Sequence, residues 1–344
     1  MWSSRLVASP YLSPGSVRAT PAATLLARMR FVVLGAGAIG GAIGGRLHRA
    51  GHAVTLVARG AQLEAIRARG LELQTPDEDV TLPVPAVGSA AEAGIGPDDV
   101  VILAVKSQDT VPALNELAAT APDAAVVCAQ NGIANEGAAL RRFERVYGMY
   151  VYLTAQYLTP GVVQVYCDPV AGMLDVGRYP YGADETADAI VSALTSAGFA
   201  SRVTEDVMRM KRTKLLGNLV NAIQLVCEGD DLSELHARAR DEAEACFAAA
   251  GVDWAPWPEV RARGAAVSPP RAVHGEEHRF SSSWQSLQRG TRRLEVDYLN
   301  GEVVLLGRLY GVPTPVNAEV QRLANRIARD GAAPDPAAVA ALLR

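Results

Sequence analysis

The stretch RFVVLGAGAIG, residues 30–40, decides the fold of this 344-residue chain. Residues 30–34 are mostly apolar and predict a short strand, and residues 42–50 have helical composition. A Gly-x-Gly-x-x-Gly turn between a strand and a helix is the fingerprint of a dinucleotide-binding site, because its glycines permit a tight turn and close approach to a pyrophosphate. The residues that we expect to contact such a cofactor are Gly35, Ala36, Gly37, Ala38, Ile39 and Gly40.

Strand and helix patterns alternate further along the chain. Apolar strands are predicted at residues 54–58, 100–105 and 124–129, and residues 71–80 are typical of a hairpin or an edge segment. A fully apolar strand such as 100–105 is typical of a parallel sheet that is buried on both faces. The alternation predicts an α/β fold of the Rossmann type, with a doubly wound parallel sheet.

The second half of the chain has different patterns. Period-two segments at residues 151–157, 162–166 and 173–176 predict a β meander that closes the first domain. From Thr204, a predicted N-cap, the chain is helical, with one long helix to about Cys227. Further helices are predicted at residues 232–250, 280–289, 294–310 and 316–329. The second domain is therefore predicted to be all-helical.

These patterns divide the chain into four parts. They are an N-terminal arm (1–28), a predicted dinucleotide-binding Rossmann domain (29–203), a helical second domain (204–330) and a C-terminal tail (331–344). The arm contains arginine but no acidic residue. That composition leaves open whether it is a disordered arm, a mitochondrial-type presequence or a start site assigned too early.

Composition and charge exclude several classes of protein. The formal net charge is −4, so the clustered positive charge that nucleic-acid binding needs is not indicated. Apolar runs are far shorter than the roughly 20 residues of a membrane span. The four cysteines contain no Cys-x-x-Cys pair, which predicts neither a zinc site nor a disulfide framework. We expect a cytoplasmic protein with a small-molecule substrate, as a monomer or a homodimer.

The end of the second strand indicates which dinucleotide binds. An NAD site usually has an acidic residue about 20 residues beyond the fingerprint. Here residues 57–60 are Val-Ala-Arg-Gly, and no acidic residue precedes Glu64. The guanidinium group of Arg59 can pair with a 2′-phosphate, so NADPH is the predicted cofactor. The alternative is that Arg59 is a solvated surface side chain.

Polar residues also follow strands and share one helix face. Lys106 and Asn131 follow two predicted parallel strands, and ligands bind at the carboxyl ends of such strands in open α/β sheets. Lys214 and Asn218 are four residues apart, so they lie on one face of a mostly apolar helix. The alternative for both lysines is an ordinary position at the protein surface.

Several motifs together resemble the ketopantoate (2-dehydropantoate) reductase family. They are the glycine turn, Val105-Lys106, Gln130-Asn131-Gly132, residues 214–218 (KLLGN), Ser281-Ser282-Ser283 and residues 295–301 (EVDYLNG), in this order and at these separations. The resemblance covers residues 29 to about 329. It implies a Rossmann domain, an all-helical second domain like the C-terminal domain of 6-phosphogluconate dehydrogenase, and NADPH reduction of a 2-keto acid to a 2-hydroxy acid. The implied reaction converts 2-dehydropantoate to pantoate in pantothenate biosynthesis.

The resemblance also implies roles for single residues. Lys214 matches the catalytic lysine, which donates a proton to the carbonyl oxygen, and Glu295 matches the acid that interacts with it. A carboxylate near a lysine keeps it protonated and oriented, which is consistent with that role. The remaining matches are binding positions: Asn218 and Ser283 for substrate, Lys106 and Asn131 for the nicotinamide end, and Arg59 for the NADP phosphate.

The sequence departs from the pattern of the family in three regions. A second asparagine is expected eight residues after the lysine, but position 222 is Ala and the asparagine is Asn221, which a helix turns by about 100°. Arg212 replaces a tryptophan, and Trp284-Gln285 stand where other residues are typical. These changes leave open a different 2-keto acid or a 3-hydroxy acid, with Asn221 as a candidate substrate contact. A non-catalytic NADP sensor is the other alternative, although a sensor has no use for a proton donor.

Two further groups are candidates of another kind. His274 and His278 are four residues apart, as metal ligands on a helix can be, but Gly275 and the prolines before it favour a solvated loop. We therefore predict no metal. Asp297 is an alternative partner for Lys214, and is otherwise a surface acid.

Overall fold

The computed structural model describes residues 21–227, 232–278 and 293–331, together with residues 339 and 342. The strands are β1 (Arg30–Leu34), β2 (Ala53–Val57), β3 (Leu71–Gln74), β4 (Asp79–Leu82), β5 (Ala86–Val87), β6 (Val100–Leu103), β7 (Ala125–Cys128), β8 (Val146–Leu153), β9 (Ala155–Gln156), β10 (Val162–Val165) and β11 (Gly172–Arg178). The helices are α1 (Pro21–Leu26), α2 (Ala38–Arg49), α3 (Gly60–Arg69), α4 (Ala90–Ala93), α5 (Thr110–Thr120), α6 (Asn135–Leu140), α7 (Glu185–Ser196), α8 (Val207–Asn218), α9 (Val220–Val226), α10 (Ser233–Ala249), α11 (Trp257–Gly264), α12 (Asn300–Tyr310) and α13 (Pro315–Asp330).

Seven strands of the described chain form the main sheet, in the order β11-β8-β7-β6-β1-β2-β5. All neighbours pair in parallel except β11, which runs antiparallel to β8. Strand β1 lies between β2 and β6, so the chain winds outward in both directions from it. The predicted doubly wound parallel sheet is confirmed, and its ligand crevice lies at the carboxyl end of β1.

Alternate residues of each strand supply the two sides of the core. In β1, Phe31 and Val33 pack in one apolar cluster with α2 and α7, while Val32 and Leu34 pack in another with α5. All four of these residues are buried. Because successive side chains of a strand point to opposite faces, a strand must be apolar where both faces are covered, as β6, β7 and residues 31–34 of β1 are.

A second, four-stranded sheet has the order β4-β3-β10-β9. Its antiparallel pair β3 and β4 confirms the predicted hairpin at residues 71–80. The predicted β meander is wrong, because β8 and β11 belong to the main sheet and β10 pairs in parallel with the distant β3. Period-two patterning predicts a strand, but the partner strand is chosen by tertiary packing.

The helical part begins later than the sequence indicates, and its first helix is interrupted. Asp206, rather than Thr204, caps α8 by accepting a hydrogen bond from the backbone N–H of Arg209 at 3.2 Å. The predicted long helix to Cys227 is divided at Leu219 into α8 and α9. A 3-10 turn at Val296–Tyr298 precedes α12, so that helix begins at Asn300. The predicted helix at 280–289 lies outside the described residues.

Part of the predicted N-terminal arm is helical in the structure. Helix α1 packs along α7, and its Leu25 and Leu26 add to the core on that side of the sheet. Burial of these leucines stabilises a helix that is too short to persist alone, which local sequence patterns did not indicate. Residues 1–20 lie outside the described residues. No helix in the described ranges has the length and apolar character to cross a bilayer.

Candidate active site

The glycine turn between β1 and α2 is tightly packed at two of its three glycines. Gly35 has a φ of 104°, and a Cβ there would lie 2.8 Å from the backbone nitrogen of Val105. A Cβ on Gly40 would lie 2.0 Å from the carbonyl oxygen of Gly35 and 3.0 Å from Val33. Side chains at these two positions would therefore push β1, β6 and α2 apart.

The third glycine of the turn lies beside open space. A Cβ on Gly37 would meet no heavy atom within 4 Å, and Gly37 forms the N-cap of α2 without a side-chain capping bond. The first N–H groups of a helix have no intrahelical partner and attract anions. This opening above a free helix N-terminus fits the pyrophosphate of a dinucleotide, whereas a side chain here would occupy the space.

A cavity of roughly 540 Å³ extends from this turn to the helical part of the chain. It runs along the carboxyl ends of β6 and β7 and along β8, and reaches the face of α8 and α9. The predicted site residues that line it are Gly35, Gly37, Ala38, Ile39, Lys106, Asn131, Lys214, Asn218, Asn221 and Glu295. Two halves of the chain thus bring cofactor, substrate and catalytic candidates into one space. Ser283 lies outside the described residues.

The hydrogen-bonded partner of Glu295 is Lys106, whereas its expected interaction with Lys214 is electrostatic, without a hydrogen bond. Its carboxylate accepts hydrogen bonds from Lys106 Nζ at 2.6 Å and from the Ser107 backbone N–H and hydroxyl at 3.0 and 3.1 Å. Burial raises the pKa of Glu295, but the Lys106 ammonium and the Ser107 donors outweigh it, so the pKa is lowered overall. Three donors at the end of β6 therefore hold this buried carboxylate ionised.

A buried hydrogen-bond chain connects Glu295 to the predicted nicotinamide end of the site. Asn135 donates to the hydroxyl of Ser107 at 3.2 Å and to the backbone carbonyl of Asn131 at 3.1 Å. Ser107 in turn donates to Glu295. Neither Ser107 nor Asn135 was predicted, because their role depends on the meeting of three distant segments. These hydrogen bonds fix the backbone of Asn131 relative to the Lys106–Glu295 pair.

Lys214 lies half-buried on the cavity wall, and its ammonium group donates to the carbonyl oxygen of Val151 in β8. The pKa of Lys214 is lowered to about 7, mainly by burial and also by the nearby ammonium of Lys211, while the carboxylate of Glu295 opposes this shift. An amine that titrates near neutral pH is suited to exchange a proton with a reacting group.

Sequence reasoning missed a second lysine on the same helix. Lys211 is buried, lies 2.6 Å from a carboxylate oxygen of the fully buried Glu136, and donates to the carbonyl of Gln130 at 2.9 Å. Its three-residue spacing from Lys214 was the available signal, since residues three apart share a helix face. Lys211 thus attaches α8 to the sheet next to Asn131.

The two asparagines of the helical part face the cavity. The Nδ2 atom of Asn218 is buried and finds no hydrogen-bond partner among the described residues. An unpaired buried donor is costly, so it indicates a ligand that supplies an acceptor. Asn221 also lines the cavity, while Ala222 packs in the helical core. The asparagine at position 221, one residue before the position expected from the family, therefore still lines the cavity.

Asp297, His274 and His278, the three weaker candidates, each contact side chains other than the predicted site residues. Asp297 is exposed and accepts hydrogen bonds from Gln321 and Asn325, each at 2.7 Å, so the alternative that it is a partner for Lys214 is wrong. His274 contacts Asp79 at 3.0 Å, whereas the ring of His278 packs edge-on against Tyr166. No cluster of three or more metal-binding side chains occurs in the described ranges.

Known proteins resemble both halves of the chain. Residues 31–177 match the family described as ketopantoate reductase PanE/ApbA, and residues 206–328 match its C-terminal family. The 2-dehydropantoate 2-reductase of Mesorhizobium japonicum is 32% identical over 337 residues, covering 87% of this chain and 98% of the relative. That of Pyrococcus horikoshii is 29% identical over 303 residues, covering 84% and 94%.

Solved structures give the same result. A PanE/ApbA family ketopantoate reductase from Ralstonia eutropha superposes with a TM-score of 0.72 at 28% identity, covering 88% of this chain and 99% of that one. D-mandelate dehydrogenase, solved with NADH and anilino(oxo)acetate, has a TM-score of 0.74 at 22% identity, with the same coverage, and shows the fold alone. The chain belongs to the ketopantoate reductase PanE/ApbA family of oxidoreductases.

Proposed function

We propose that this protein reduces a 2-keto acid to a 2-hydroxy acid with NADPH, and that its substrate is 2-dehydropantoate, which yields pantoate for pantothenate synthesis. The observation that carries the proposal is the position of Lys214. Its amine lies on the same cavity as the glycine turn Gly35–Gly37 and the asparagines Asn218 and Asn221. The names of the relatives support the substrate, and Arg59 beside the turn supports the phosphorylated cofactor.

The chain's own residues supply the polar part of the reaction. NADPH, when bound, supplies a hydride to the carbonyl carbon, and negative charge develops on the carbonyl oxygen. Lys214 donates its proton to that oxygen and so neutralises the negative charge that develops there. The buried Nδ2 of Asn218 donates to an oxygen of the substrate and orients it. Lys106, fixed by Glu295, places a positive charge at the end of β6.

A panel of keto acids tests the reaction and the substrate together. The purified full-length protein should oxidise NADPH in the presence of 2-dehydropantoate, with a higher kcat/KM than with 2-keto acids that have smaller, larger or aromatic side chains. A higher kcat/KM for another 2-keto acid would refute 2-dehydropantoate and retain the reaction type. If no 2-keto acid in the panel is reduced, the proposed reaction is wrong. The panel is needed because the family asparagine expected at position 222 stands at 221 in this chain, which leaves the choice of keto acid open.

The pH dependence of the reaction should follow Lys214. Because the pKa of this amine is lowered to about 7, its protonated fraction declines above that pH in the free enzyme. Reduction needs the protonated form, so kcat/KM for reduction should fall roughly tenfold per pH unit above about pH 7. Oxidation of the 2-hydroxy acid needs the neutral amine and should rise through the same range. Initial rates in both directions between pH 5 and 9 measure this, and a flat reduction profile up to about pH 9 would contradict it.

A further inference from the structure

The cofactor end of the site contains a carboxylate that the fingerprint lacks. A second cavity, of roughly 320 Å³, lies beside the glycine turn and is lined by Gly35, Gly37, Arg59 and the α5 residue Glu116. In an NAD site, an acidic residue at the end of the second strand accepts hydrogen bonds from the ribose hydroxyls. Here β2 is followed by Ala58 and Arg59, and the acid comes from α5 instead.

Glu116 is held in place by two contacts. Its Oε2 lies 3.0 Å from Nη2 of Arg59, and its Oε1 accepts a hydrogen bond from the backbone N–H of Ala90 at 2.8 Å. The side chain is 31% exposed, compared with 75% for Arg59. The carboxylate is therefore positioned by α4 and α5, while the guanidinium group is mostly exposed to solvent.

The other polar groups of this cavity do not favour a phosphate. The side-chain amide of Gln62 donates to the carbonyl oxygen of Ala36 and accepts from the backbone N–H of Gly161, each at 2.7 Å. Asp109 also lines the cavity and is paired with Arg293 at 2.8 Å. Arg59 is thus the one cation among the described residues that line this cavity, and it already has an anionic partner.

This geometry has opposite consequences for the two nicotinamide dinucleotides. A ribose with a free 2′-hydroxyl can donate to Glu116, as it does to the acid of an NAD site. A 2′-phosphate can form an ion pair with Arg59, but it must first displace the carboxylate of Glu116 from the guanidinium group. It then lies near the negative charge of that carboxylate. Because exposed ion pairs contribute little to stability, the phosphate can displace the carboxylate, and neither cofactor is rejected.

We propose that Glu116 is a specificity-determining residue that allows this site to accept NADH as well as NADPH. It binds the ribose hydroxyls of NADH and competes with the 2′-phosphate of NADPH for Arg59. The inference rests on the proposed function insofar as a nicotinamide dinucleotide must bind at the glycine turn. It goes beyond that function because it concerns the choice between two cofactors.

Binding measurements on the Glu116→Gln variant test the proposal. The amide oxygen can still accept from the Ala90 N–H, so the fold of this region is retained while the charge is removed. We expect the dissociation constant for NADPH to fall and that for NADH to rise, so that their ratio changes by roughly five- to twentyfold, the sum of two weak charge effects. Titration of each cofactor, followed by protein fluorescence, gives both constants without turnover. Arg59→Gln should weaken NADPH binding more than NADH binding.

Glu92→Gln is the matched control. Glu92 also pairs with an arginine, Arg67 at 3.1 Å, and also accepts from a backbone N–H, that of Gly88 at 3.0 Å. It does not line the cavity, so its variant should leave the ratio unchanged. An equal effect of Glu116→Gln on both cofactors, or parent protein that binds NADPH but not NADH, would overturn the proposal. Failure of every keto acid in the panel overturns the proposed function instead, because the binding ratio does not depend on a substrate.

Discussion

Lys214→Ala should lower kcat for keto-acid reduction by roughly 10² to 10⁴, the usual contribution of a positioned general acid. The ammonium group lies on the cavity wall formed by α8, and removing it leaves the developing alkoxide without this proton donor. Cofactor affinity should change little, because the glycine turn and Arg59 lie in other elements. Initial rates at saturating substrate, together with the dissociation constant for NADPH, measure the two effects separately.

Arg212→Ala is the control for this substitution. Arg212 lies two residues earlier on the same helix, but its guanidinium group donates to the carbonyl of Asp253 at 2.7 Å and does not line the cavity. The Arg212→Ala variant should retain the parent kcat, whereas a general destabilisation of α8 would lower kcat in both variants. If Lys214→Ala turns over at the parent rate, Lys214 is not the proton donor.

Lys211→Met should lower the free energy of unfolding by roughly 3 to 5 kcal/mol, the usual cost of breaking a buried ion pair at one partner. Lys211 is 3% exposed and Glu136 is 0% exposed, with 2.6 Å between the ammonium and the carboxylate. Without Lys211, the Glu136 carboxylate would stay in the interior without its counter-charge. Urea unfolding, followed by tryptophan fluorescence, measures the change.

The double variant Lys211→Met with Glu136→Gln separates lost charge pairing from lost packing. Because a neutral amide replaces the uncompensated carboxylate, the double variant should recover a large part of the lost stability. A single variant within about 1 kcal/mol of the parent, or a double variant less stable than the single one, would contradict the role of the pair. Burial and the nearby charge of Glu136 raise the pKa of Glu302 to about 7. All variants should therefore be compared at one pH.

Local sequence patterns indicate some of the site residues and not others. Lys106, Asn131, Lys214 and Asn218 follow strand ends or share a helix face, which local spacing reveals, and the structure brings them to one cavity. The interaction of Glu295 with Lys214 was predicted, but its hydrogen-bonded pair with Lys106 was not. Lys106 and Glu295 are 189 positions apart, and no local pattern encodes which cation a distant carboxylate meets.

The sequence by itself determined the doubly wound sheet and the dinucleotide turn, because apolar periodicity and glycine placement act through neighbouring residues. Tertiary structure alone decided three things: that Glu295 pairs with Lys106, that Lys211 neutralises Glu136, and that α5 supplies a carboxylate beside Arg59. Electrostatic interactions depend on distance in space and on burial, and both are set only when strand ends and helices from different parts of the chain meet.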